Sequence, residues 1–137
     1  MQVVADANVL LSAVIGGRAR LVLQHPTVEK VFTTETAYGE VLEYLPALAK
    51  KKRLDLDTLL LACAALPVTV IERADYYRQL ATAKKRIGKR DPEDVDVLAL
   101  ALTLSLPVWS NDSDFEGSGV DWQTTAELLK ALGIASR

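Results

Sequence analysis

The sequence predicts an α/β fold built on a mostly parallel sheet with helices on both faces. Short β-branched apolar runs alternate with longer stretches of helical period, the pattern of successive βαβ units. The strand-like runs are also continuously apolar rather than alternating, as befits strands covered on both sides. At 137 residues the chain is the size of one ordinary domain, large enough to bury a core.

The elements follow in order. QVVA is a brief strand ending at Asp6. Asn8 to Gln24 reads as helical, broken at Gly16-Gly17. KVFTT, from Lys30, is a second strand. Thr36 to Lys52 is a helix with Pro46 as a kink or break. Asp57 to Leu66 is a short apolar helix stopped by Pro67. VTVI, from Val68, is a third strand. Ala74 to Ile87 is a helix ending at Gly88, read as a left-handed C′ residue. Pro92 to Leu104 is a strong helix and LPVWS, from Leu106, a fourth strand. A short fifth strand falls near Val120-Asp121-Trp122. Thr124 to Leu132 is the last helix, opened by a Thr124/Glu127 capping box and closed by Gly133.

Half of the residues are apolar, a quarter are charged, and the formal net charge is -2. Nucleic-acid binding must therefore rest on local basic patches. The single cysteine, Cys63, gives neither a disulfide framework nor a metal-ligand spacing; it reads as a small core residue, consistent with a reducing interior. The start MQVVAD lacks the features of a signal peptide. The stretch from Leu59 to Ile71 falls short of the ~20 residues a membrane helix needs. The expectation is a cytoplasmic protein.

Ligands of open parallel sheets bind beyond the carboxyl ends of the strands. Asp6 ends the first strand, and Asp112 follows the fourth. Glu40 lies early in the helix leaving strand two. Asp94 lies in the first turn of the helix entering strand four, whose N-terminus faces the same edge. Four carboxylates from distant parts of the chain thus converge. Their mutual repulsion is relieved by hard divalent cations, and oxygen-only ligation points to Mg²⁺ or Mn²⁺ rather than zinc. Such a site suits phosphoryl chemistry with metal-activated water, by one ion or two. Each residue also has a structural reading. Asp6 suits a turn, Glu43 rivals Glu40, and Asp112 with Asp114 suits a polar turn. Asp91, Pro92 and Asp94 fit N-cap, first-turn and capping-box positions.

VVADANVLLSA, TTETAYGEVLEYL and DVDVLALALTLSLPVWSNDSDF resemble, in order, the acidic motifs of the PIN-domain family, which includes the VapC-type toxins. EGSGVDW resembles that family's short last strand. The resemblance is weakest between Lys50 and Lys89. It implies a three-layer sandwich with a five-stranded sheet and Mg²⁺- or Mn²⁺-dependent cleavage of RNA. It also implies Asp6, Glu40, Asp94 and Asp112 as the metal-holding and catalytic set, with Asp114 as an accessory. Asn8 and Ser110 match polar positions near the site. Asp96, two residues along its helix, points to another face and is the weaker ligand candidate. Homodimerisation and a cognate antitoxin partner are further implications.

Two basic runs stand out, Lys50 to Arg53 and KKRIGKR ahead of Asp91. The second abuts the acidic edge, and Lys89 and Arg90 are candidates for phosphate contact. The first suits a solvated helix end. His25 reads as solvated, Tyr76 and Tyr77 as packing residues rather than base-stacking ones, and Trp109 as core. The expected function is an endoribonuclease. The alternatives are an inactive PIN-like RNA- or protein-binding module, or a phosphatase with an aspartyl nucleophile. The phosphatase reading sits poorly with Asn8, where a second aspartate is usual.

Overall fold

The computed structural model describes residues 1–89 and 91–134. Five strands, β1 (Gln2–Ala5), β2 (Lys30–Thr34), β3 (Thr69–Ile71), β4 (Val108–Trp109) and β5 (Trp122–Gln123), form one sheet. Their order is β3-β2-β1-β4-β5, and every pairing is parallel. The helices are α1 (Ala7–Val14), α2 (Ala19–Leu23), α3 (Glu35–Lys52), α4 (Leu56–Ala64), α5 (Leu80–Ile87), α6 (Val95–Leu104) and α7 (Thr125–Ala131). None of the described helices is long and apolar enough to cross a membrane.

Side chains alternate across a strand, and two cores result. Val3, Ala5, Val31 and Trp109 pack with α1, α2, α3, α4 and α7. Val4 and Val108 pack on the other side with α5, α6 and Phe115. This is the expected three-layer arrangement. Cys63 and Trp109 are core residues, as expected. α6 is buried from Val95 through Ala101, which explains its nearly unbroken apolar sequence.

The helix boundaries show where local chemistry overrides periodicity. α1 ends before Gly16, which has a φ of +85°, and a Cβ on Gly17 would stand 2.4 Å from the Ser12 hydroxyl. Arg20 then donates to the carbonyls of Ala13 and Val14, both at 3.1 Å, satisfying that helix end. α3 runs unbroken through Pro46. The helix expected over 74–87 is instead two 3₁₀ turns, Arg73–Asp75 and Tyr77–Gln79, followed by α5. Tyr76 separates them with a φ of -133°, because its ring is drawn into the core. Gly88 is not left-handed; its φ is -59°. Glycine is required there because a Cβ would lie 2.5 Å from the Lys84 carbonyl oxygen. The 92–104 helix opens with a 3₁₀ turn, Pro92–Asp94, ahead of α6. The capping box of α7 and the left-handed Gly133 are both present as expected.

The chain leaves β1 toward β2 but leaves β4 toward β5, on opposite sides. The crevice between the carboxyl ends of β1 and β4 is therefore the topological switch point, where ligands of open α/β sheets bind.

Candidate active site

Asp6 and Asp112 flank that crevice. Asp6 follows β1 directly and caps α1, its Oδ1 accepting the Val9 amide at 2.9 Å. It is 3% exposed, so its second oxygen also needs a partner. Ser110, the residue after β4, donates its hydroxyl to Asp6 Oδ2. The same hydroxyl accepts the Asp112 amide at 3.0 Å. One buried serine thus ties the two strand-end aspartates together. Ser110 is itself held from β5: the Trp122 indole donates to its carbonyl at 2.8 Å, and its amide donates to the Gln123 carbonyl at 3.1 Å. Asn111, next in line, accepts the Thr125 amide at 2.8 Å and anchors the start of α7.

Asp91, Asp94, Asp112 and Asp114 each bring a carboxylate oxygen within 4.8 Å of the others. Asp112 Oδ1 accepts the Asp114 amide at 3.1 Å. Asp91 caps the 3₁₀ turn before α6, accepting the Glu93 amide at 3.0 Å. The capping role expected for Asp91 is therefore present. Asp94, however, makes a side-chain hydrogen bond to the Asp91 carboxyl.

Glu40 stands to one side of this group. It lines a cleft of about 540 Å³ with Ala7, Asn8, Leu11, Glu43, Tyr44 and Glu93. Glu40 and its rival Glu43 thus line one cleft, and Asn8 lines it with them. Lys89 is exposed two residues ahead of Asp91; Arg90 lies outside the described residues. Arg86, from the same basic run, donates to the Ser118 carbonyl at 2.9 Å and so braces the loop after Asp114.

The electrostatics reflect burial first and crowding of like charge second. Burial pushes the Asp94 carboxyl up to about 9, helped by the hydrogen bond to Asp91 and by the charges of Asp91, Asp6 and Asp112. Burial also raises Asp6, with Ser110 and Val9 opposing through hydrogen bonds and Asp112 and Asp91 adding to the rise. Glu40 is raised to about 7, by burial first and then by Glu93, Asp91, Asp96 and Glu43. Asp114 is raised by desolvation and then by Asp112. Repulsive sets of this kind are found where a cation or a proton is to be held.

Asp96 points away from the cluster, as expected, toward Tyr76 and Thr36. Two features of the site are not legible in the sequence. Asp91 reads there only as a cap, although the cap position itself aims a carboxylate out of the helix start toward Asp94. Trp122 gave no signal, because its part depends on β5 lying beside β4.

No curated protein matches the chain significantly. Solved structures do. A toxin-antitoxin complex from Klebsiella pneumoniae is similar at a TM-score of 0.66 and 20% identity, covering 90% of this chain and 97% of that one. VapBC2 from Rickettsia felis, bound to a DNA fragment from its promoter, matches at a TM-score of 0.67 and 14% identity over 90% and 98%. VapBC-1 from nontypeable Haemophilus influenzae matches at 0.63 and 15% over 92% and 99%. At these identities the likeness is one of fold. The family match is of another kind, because the family model described as PIN domain spans residues 4–133, from β1 to the end of α7 with every acidic residue above inside it. The chain belongs to the PIN-domain family.

Proposed function

We propose that this protein is a divalent-metal-dependent endoribonuclease, acting as the toxin of a toxin–antitoxin pair. The observation that carries the reading is the Asp6–Ser110–Asp112 bridge across the switch point, with Asp91, Asp94 and Asp114 gathered beside it. The residues fit a hard cation. Among the described residues the clustered donor set is all carboxylate, and burial together with neighbouring carboxylates makes Asp6 and Asp94 hold their protons more tightly than usual.

Asp6, Asp94 and Asp112 would hold the metal, directly or through water, with Glu40 on the cleft side and Asp91 and Asp114 as neighbours. Mg²⁺ or Mn²⁺ in such a site supplies charge neutralisation and a water of lowered pKa for attack on a phosphodiester. The protein's own work is positioning. Ser110 fixes the Asp6 carboxylate and the backbone at Asp112, so the two strand ends keep a constant separation. Lys89, exposed two residues ahead of Asp91, would neutralise a phosphate backbone, as would Arg90 from its position in the sequence. Asn8, in the lining of the same cleft, would orient water or substrate.

Family membership and the shared fold with chains from toxin–antitoxin complexes support an antitoxin partner, a homodimer and a cytoplasmic setting. The test is cleavage of RNA with Mg²⁺ or Mn²⁺. Asp6→Asn and Asp112→Asn should each lose activity by at least about a hundredfold. Variants that cut as well as wild type would sink the reading. Hydrolysis of a small phosphate ester without RNA cleavage would favour the phosphatase alternative.

A further inference from the structure

Arg73 stands just past the carboxyl end of β3, on the same edge of the sheet as the acidic centre. Its Nε lies 3.4 Å from Asp96 Oδ2. The same oxygen accepts the Tyr76 hydroxyl at 2.5 Å and the Thr36 hydroxyl at 3.2 Å. The Arg73 amide is held separately, donating to Glu35 Oε1 at 3.0 Å. The main chain is therefore held by a hydrogen bond, and the guanidinium is kept beside Asp96 by an ion pair. Yet the Arg73 side chain is 59% exposed, against 10% for Asp96. Among the described residues no other carboxylate pairs with it, and its two Nη groups have no protein partner.

A guanidinium tethered through Nε and open at Nη is prepared for an oxyanion. Its fork matches two oxygens of a phosphate, and its entropy is already spent in the pair with Asp96. The strand register sets its distance from the acidic centre. β2 pairs Val4 with Phe32 and Ile71 with Thr34, so the ends of β1 and β3 stand nearly level. Two strand spacings, about 10 Å, separate them, and the acidic crevice lies up to one spacing further, toward β4. A nucleic acid strand with one phosphate at the acidic centre carries its next phosphates along this edge. Thr36 and Glu40 lie one turn apart on α3, which puts the Asp96–Arg73 pair beside the Glu40 wall of the cleft.

We propose that Arg73 is a phosphate subsite for the nucleic acid strand, one step out from the acidic centre on the β2–β3 side. This rests on the nuclease reading above. The experiment measures cleavage and binding of a random-sequence single-stranded RNA pool with Mn²⁺. It compares wild type with Arg73→Ala, Arg73→Gln and Arg73→Lys. Gln keeps a donor for Asp96 but has no charge, which guards against misfolding of the Ala variant. Ala and Gln should raise KM about tenfold with kcat within about twofold. They should also flatten the salt dependence of binding by about 0.7 in log–log slope, and Lys should be intermediate. Folded Ala and Gln variants with wild-type KM and slope overturn the subsite, as does a fall in kcat alone. Wild type that neither binds nor cuts the pool overturns the nuclease reading and the subsite with it.

Discussion

Ser110 is where single-residue chemistry bears most on the acidic centre. Its hydroxyl serves Asp6 and the Asp112 amide at once. Ser110→Ala leaves a buried carboxylate oxygen and an amide without their partner, a loss of about 2 kcal/mol, readable by urea denaturation. Ser110 also pulls the Asp6 carboxyl downward against burial. In the Ala variant Asp6 keeps its proton to higher pH, so Mn²⁺ binding by titration should weaken more at pH 6 than at pH 8. Equal weakening at both pH values would show that the bond does not govern ionisation. At this scale the sequence was informative about residue type and poor about partners. Asp6, Asp94, Asp112 and Asp114 could be singled out because strand ends and helix starts have recognisable spacing. Glu40 could be placed on its helix, but its charged neighbours Glu93 and Asp96 come from the chain entering β4. Asp91 was hidden because one carboxylate can cap a turn and face a cluster together.

At the scale of elements, β-branched runs and caps were legible, and breaks set by tertiary burial were not. Nothing in 74–87 announces that Tyr76 leaves the helix to bury its ring and donate to Asp96. β5 was expected at Val120 to Trp122 and occurs at Trp122–Gln123, because pairing with Val108 and Trp109 fixes its register. Pro46 is the reverse case, a breaker that tertiary structure tolerates. α3 continues through it over 18 residues, and the Leu42 carbonyl loses the amide that would complete its turn. Interior proline costs about 3 kcal/mol relative to alanine, less up to about 1 kcal/mol from its stiffening of the unfolded chain. Pro46 is exposed, so no packing is lost. Pro46→Ala should raise the unfolding free energy by about 2 kcal/mol. A variant no more stable than wild type would mean that the helix bends at Pro46 to recover its contacts.

Across the whole molecule, one strand order accounts for the site. Placing β1 centrally, with β2 and β4 on either side, makes the switch point and sends Asp6 and Asp112 to it. That order follows from no local signal; the alternation of strands and helices gave the parallel sheet, and the family motifs gave its expected five strands. Gathering the carboxylates also sets how stability depends on pH. Asp94 goes from an ordinary value of 3.8 to about 9, and Glu40 from 4.5 to about 7. A carboxyl raised on folding binds its proton more tightly in the native state than in the unfolded chain, so stability falls as pH rises between the two values. With metal chelated, the melting temperature should therefore decline from about pH 5 to pH 8 on account of these two groups, Asp94 contributing throughout that range and Glu40 up to about pH 7. Mn²⁺ binds the ionised carboxylates and competes with those protons. The rise in melting temperature on adding Mn²⁺ should therefore be larger at pH 8 than at pH 6. Asp94→Asn removes the largest raised carboxyl. It should flatten the chelated profile across pH 5 to 8, most completely above pH 7 where Glu40 no longer contributes, and shrink the Mn²⁺ effect. Calorimetry on both proteins, with and without Mn²⁺, reads all of these. A chelated wild type whose stability rises steadily from pH 5 to pH 8 would mean that burial and neighbouring charge do not raise Asp94 and Glu40 in the folded protein.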